Sequence, residues 1–219
     1  MFLRNNGLSI ALLTLFLIFL GGQFATGHRQ YNEERADHRQ EELTSSEYLK
    51  SDHFLEATME NWESEFLQMF AYVLLTAFLF QKGSSESKDP DEEEEVDRDP
   101  RQAKNKKDAP WPVRKGGWIL TVYENSLALA FLLLFIASML LHALGGAREY
   151  SEDQVLHGGQ PISFGEYLKT SRFWFESFQN WQSEFLAIAC MVIFSIWLRQ
   201  RHSPESKPVD APHAQTGTS

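Results

Sequence analysis

Two copies of Asn-Trp-x-Ser-Glu-Phe-Leu, at Asn61–Leu67 and Asn180–Leu186, hold the residues of this 219-residue chain best suited to chemistry. Asn61 and Glu65, like Asn180 and Glu184, are four apart and share one face of a helix, with the Trp and Phe on an adjacent face. Each carboxylate stands where an apolar run begins, a place where charge is costly unless solvated or paired. Brought together, Glu65 and Glu184 with Asn61 and Asn180 form a cluster able to hold a cation or share a proton, because one of two close carboxylates binds its proton more tightly. The structural alternative is favoured: the acids pair with Arg29 and Arg148 or sit among lipid headgroups, while Trp62 and Trp181 anchor their helices at the membrane boundary.

A second duplicated element, Gly-x-Arg-x-Tyr-x-Glu, occupies Gly27–Glu33 and Gly146–Glu152. It reads as a helix end at glycine, a headgroup-level arginine and a boundary tyrosine, Tyr31 or Tyr150. Arg29, Arg148, His38 and His157 are candidates for an anionic headgroup or an ion pair. Lys104, Lys106, Lys107, Arg114 and Lys115 are candidates for the anionic lipids of an inner leaflet. No metal is expected: His28 and His38 are ten apart in a polar loop, no His-Glu-x-x-His occurs, and the single cysteine, Cys190, is isolated in an apolar run. No phosphate-binding loop, nucleophile elbow or kinase signature is present, so no cofactor and no enzyme activity is expected. The net charge of −10 argues against nucleic acid as a partner.

The elements that carry these residues follow from where the charges are not. Of 30 acidic and 20 basic residues, none lies in Gly7–Phe24, Phe66–Phe80, Ser126–Leu144 or Phe185–Leu198. The first and third runs are long enough to cross the hydrocarbon core; the second and fourth gain a turn from their flanking aromatic residues, Trp62, Tyr72, Trp181 and Trp197. A cleaved signal peptide is the alternative for the first run.

Against cleavage stands a repeat. Residues 4–82 align with 123–201 at a constant offset of 119 without a gap, and 25 of the 79 pairs are identical. A retained helix matched by an internal copy is the more economical reading. Each copy is span, loop, span, so both face the same way, a parallel repeat. Thr44-x-x-Glu47 and Ser163-x-x-Glu166 have capping-box spacing and start a helix in each loop.

Lys and Arg set the orientation. The connector Gln81–Gly117 holds nine of them, against four and three in the intra-repeat loops. It therefore lies in the cytoplasm with both termini, and both loops lie outside. The fold expected is all-α: a polytopic membrane protein of four transmembrane helices, two parallel-repeat hairpins with extracytoplasmic helical loops. Repeat 1 covers 4–82 with spans near 7–24 and 63–81; repeat 2 covers 123–201 with spans near 125–145 and 182–199. The charged segment 83–117 and the tail 202–219 have few apolar residues to bury and are expected to be disordered.

The paired Gly-x-x-x-Tyr-x-Glu and Asn-Trp-x-Ser-Glu-Phe-Leu elements around four spans resemble a family of small bacterial inner-membrane proteins of unassigned function, over residues 2–205. The resemblance implies a bacterial plasma-membrane location and supplies no activity. From the residues themselves, the reading is a non-enzymatic envelope scaffold or interaction module. Its partners are membrane lipid and an envelope protein or a second copy. The alternative is a small ion- or proton-coupled transporter or channel built on Glu65 and Glu184.

Overall fold

A computed structural model describes residues 2–217, and every regular element in them is helical. Four long helices, α1 (Phe2–Asp37), α3 (Asp52–Phe78), α6 (Ser126–Leu156) and α8 (Ser171–Phe194), are joined by the single turns α2 (Ser45–Tyr48) and α7 (Phe164–Tyr167). Between α3 and α6 come two 3-10 turns, Glu95–Asp97 and Pro100–Ala103, then the short helices α4 (Trp111–Lys115) and α5 (Gly117–Glu124). Two helices, α1 and α6, are long and apolar enough to cross a membrane.

The chain divides into two compact units, residues 1–59 with 141–170, and residues 60–140 with 171–219. In the first, α2 and α7 begin behind complete capping boxes. Thr44 and Ser163 each accept from the backbone N–H of the glutamate three residues on, and Glu47 and Glu166 return the bond at 2.7 Å. These bonds hold both carboxyls below the usual carboxylate range, that of Glu47 chiefly through the Thr44 hydroxyl and that of Glu166 chiefly through the Ser163 backbone N–H. The helices stop after one turn, and Ser51 and Thr170 bond back to the carbonyls of Tyr48 and Tyr167 at 2.7 Å before the next helix begins.

The glycines expected to end helices do not. Helix α1 continues through Gly27 to Asp37, and α6 through Gly146 to Leu156. The reason is steric: a β-carbon on Gly27 would collide with the Tyr48 hydroxyl, and one on Gly146 with the Tyr167 hydroxyl. Each glycine is a notch for a tyrosine ring, and Tyr48 and Tyr167 are almost wholly buried, 1% and 0% exposed. The helix ends come ten residues later and are alike. Gln40 N–H bonds Arg35 O and Gly159 N–H bonds Gln154 O, closing the same wide turn. The left-handed residue is Gly158 in one (φ 79°) and Arg39 in the other (φ 58°).

An arginine there carries a steric cost that glycine does not. Arg39→Gly is therefore expected to raise stability by about 0.5–1 kcal/mol, the left-handed strain relieved less the extra freedom glycine gives the unfolded chain. Thermal melting of the purified chain in detergent checks it, and a lower melting temperature would contradict the strain.

In the second unit most buried positions among the described residues are polar, with Val113, Leu120 and Phe173 the apolar ones. Glu63, Ser64, Gln68, Ser138, Ser177 and Ser195 are all buried, while Leu74, Phe78, Leu133, Leu186 and Phe194 lie on the surface. Composition marks 83–117 and 202–219 as tethers; the structure gives 83–117 turns and short helices and 202–217 turns. Lys207 is their best-held residue. Its ammonium donates to the carbonyls of Gly83, His213 and Gln215, and it is 1% exposed. Burial, and Arg199 nearby, push its pKa below the ordinary lysine value.

Candidate functional site

In the second unit, the duplicated motif supplies cross-links between α3 and α8. The Trp181 indole N–H donates to Glu63 Oε1 at 3.0 Å, the Asn180 amide to Glu60 Oε1 at 2.5 Å, and the Gln68 amide to the Glu184 carbonyl at 2.8 Å. Glu63 is fully buried. Both motif serines turn back on their own helices, Ser64 onto Asn61 O and Ser183 onto Asn180 O, each at 2.8 Å. Trp174, Phe178 and Trp181 lie ring to ring along α8, and Phe135 of α6 meets Trp181 at 6.1 Å. Trp62 packs on Phe66 of its own helix.

Of the predicted cluster, Asn180 enters this network by its side chain and Glu184 by its backbone. Glu65 and Asn61 are exposed, and Glu184 is half-buried. The buried carboxylate is Glu63, the unspecified position of the motif, where the second copy has Gln182. Sequence reasoning passed over it because the motif was defined by identity between copies. A carboxylate one residue after a boundary tryptophan was the available signal.

Lower along the same helices an apolar cavity of about 350 Å³ lies between Leu75, Phe80, Phe185, Ile188 and Val192. Its polar end is the Tyr72 hydroxyl donating to Glu86 Oε2 at 2.5 Å.

In the first unit the second duplicated element closes around the buried tyrosines. Tyr31 packs on Tyr48 at 5.9 Å and Tyr150 on Tyr167 at 6.0 Å, both at 43°. Phe24, His28, His53 and Phe54 complete the aromatic cluster at Tyr48. Burial, then the charges of Glu149 and Glu34, raises the Tyr48 pKa. Bonds between residues far apart in sequence run from the Tyr31 hydroxyl to Glu149 Oε2 at 3.4 Å and from the Tyr167 hydroxyl to Glu56 Oε1 at 3.3 Å. Asn32 and Ser151, 119 apart, clamp Leu43 and Ile162 through both backbone groups.

Arg148 pairs with Asp52 at 3.1 Å, not with either motif glutamate, and Arg29 is exposed. His38 and His157 lie together, their ring centroids 6.1 Å apart. Two buried titratable groups, Glu56 and His142, were not among the predicted site residues; they are 7% and 0% exposed. The five basic candidates Lys104, Lys106, Lys107, Arg114 and Lys115 are all exposed.

Equivalent contacts extend past residue 82, beyond the predicted repeat. Gln81 N–H bonds Ser87 Oγ at 2.8 Å, and Gln200 N–H bonds Ser206 Oγ at 2.9 Å. Glu86 N–H reaches Ser84 Oγ as Glu205 N–H reaches Ser203 Oγ. Gln-x-x-Ser-x-Glu-Ser-Lys stands at 81–88 and again at 200–207, with left-handed Gly83 and His202 at matching places.

Helices alone among the described residues, two of them long and apolar enough to cross a membrane, define an all-helical protein with membrane-crossing potential. Residues 1–218 match the family described as a domain of unknown function (DUF6766), and the chain belongs to that family. No curated protein and no solved structure matches it.

Proposed function

We propose that this chain is a four-span protein of the bacterial plasma membrane, built from parallel hairpin repeats at 4–82 and 123–201. In this reading both termini are cytoplasmic, and the protein is a non-enzymatic scaffold or interaction module whose outer helical loops meet an envelope protein or a second copy. One observation carries the assignment: the polar groups around the duplicated motif are engaged in hydrogen bonds that join α3 to α8, Trp181 to Glu63, Asn180 to Glu60 and Gln68 to Glu184. Interhelical hydrogen bonds of this kind hold membrane helices together, since lipid offers no hydrophobic drive between them. Support for four spans comes from the second unit, whose buried positions are mostly polar while large apolar side chains such as Leu74, Phe78, Leu133 and Leu186 are exposed. Support for the repeat comes from the paired contacts 119 residues apart.

A small ion- or proton-coupled transporter is the second reading, favoured by the complete burial of Glu63 on a helix proposed to span the bilayer. The two are separated in proteoliposomes under an imposed proton or sodium gradient. A scaffold gives no flux above empty vesicles in the wild type or in the Glu65→Gln, Glu184→Gln variant. Gradient-driven uptake above empty vesicles that this variant or Glu63→Gln abolishes would establish the transporter and overturn the scaffold. Reporter fusions in 83–117 are expected to give a cytoplasmic signal, and an external signal there would invert the topology.

A further inference from the structure

His38 and His157 occupy equivalent places, 119 residues apart, at the two matched helix ends of the first unit. Their rings approach to 6.1 Å between centroids, inclined by 75°. Residues at equivalent positions of a duplicated chain come together wherever the axis relating the copies passes, which is how two histidines so distant in sequence become neighbours.

The tautomer of each neutral ring follows from what it already touches. Nδ1 of His38 lies 2.9 Å from Glu34 O, and Nδ1 of His157 lies 2.8 Å from Asp153 O. A carbonyl oxygen only accepts, so in the neutral ring Nδ1 carries the hydrogen and Nε2 keeps its lone pair. For His157 the Asp153 carboxylate, 3.2 Å from the same Nδ1, reinforces this. Metal-binding histidines are held in this way, one nitrogen donating to a backbone carbonyl or carboxylate and the other facing the ion. Both side chains are exposed, so an ion can reach them. With metal–nitrogen bonds of about 2.1 Å, two imidazoles on one ion have centroids roughly 5 to 6.5 Å apart, a range that includes this pair.

We propose that His38 and His157 form a two-histidine site for a borderline divalent transition metal, through Nε2 of each, with water completing the coordination. Imidazole nitrogen favours copper(II), nickel(II) and zinc(II) over magnesium or calcium, and copper(II) most. The ion would clip the C-terminal end of α1 to that of α6. The site rests on the local geometry of these helix ends and not on the scaffold reading, so either can fail without the other.

The test uses the full chain in detergent, purified without a histidine tag and titrated with copper(II) and with zinc(II) by calorimetry. The expected result is one ion per chain, with copper(II) held more tightly than zinc(II), and copper paramagnetic resonance showing two equatorial nitrogens. His38→Ala and His157→Ala should each weaken binding at least tenfold while circular dichroism stays unchanged, because both side chains are exposed. The remaining five histidines serve as the internal control. Unchanged affinity and stoichiometry in the His38→Ala, His157→Ala double variant would overturn the site. So would a wild-type copper spectrum with a single nitrogen, or no binding of either ion at about 0.1 mM metal.

Discussion

Alanine at Gly145 is expected to destabilise the folded chain by about 1–3 kcal/mol, the usual cost of forcing an extra methyl into a close-packed contact. The sign is the informative part. In a helix interior glycine is worse than alanine by about 0.5–1 kcal/mol, so the substitution should help if nothing lay opposite. At Gly145 something does. A β-carbon there would come 2.9 Å from Glu56 N, 3.1 Å from Asp52 O and 3.2 Å from Glu56 Cα, all main-chain atoms of α3. A flexible side chain can rotate away from such an intrusion, whereas a helix backbone must move as a whole. Gly22 on α1, with nothing within 4 Å of its would-be β-carbon, is the matched control. Gly22→Ala should hold or raise the melting temperature in detergent, and Gly145→Ala should lower it. Equal effects at the two glycines would mean that α6 does not approach α3 so closely.

The second large effect is expected at Trp181. Its indole N–H meets a carboxylate with no exposed surface, so Trp181→Phe keeps most of the ring volume and leaves Glu63 short of a donor. An under-satisfied buried acceptor costs about 1–3 kcal/mol, more when charged. Glu63→Leu alone removes the charge together with its demand, and apolar replacement of a buried polar pair is often close to neutral. The double variant should then behave like Glu63→Leu, giving a coupling energy of about 1–3 kcal/mol between the two positions. If Trp181→Phe costs as much in the Glu63→Leu background as in the wild type, the two side chains are not linked and the motif is not a cross-brace.

Periodicity in the sequence reports which residues share a helix face, and the long helices, the paired capping boxes and the motif's place at the start of an apolar run were legible from it. What stands on the neighbouring helix is not encoded by period. Gly27 and Gly146 show the consequence: glycine followed by charged residues has the pattern of a helix end, yet both serve tyrosine rings arriving from twenty-one residues further along. Glu63 escaped notice for a related reason, since the second copy has Gln182 in its place and comparison of copies rewards only what is shared. His38 and His157 were recognised singly. Local spacing could not join them, because their meeting depends on how the two copies are arranged. Past residue 82 the likeness between 81–88 and 200–207 thins to Gln, Ser, Glu, Ser and Lys at fixed steps, too sparse to stand out beside charged low-complexity chain until the matching bonds of Ser87 and Ser206 are seen.

The serines, amides and carboxylates packed inside the second unit bear on how its stability responds to cold. Heat-capacity change on unfolding tracks the apolar surface newly wetted by water, and it bends the stability curve of a soluble domain into a dome. On the four-span reading proposed above, hydrocarbon surface faces lipid both before and after the helices part, and little of it is newly wetted. Thermal denaturation of this molecule in bilayers should therefore follow a nearly straight line, with no optimum on the chilled side.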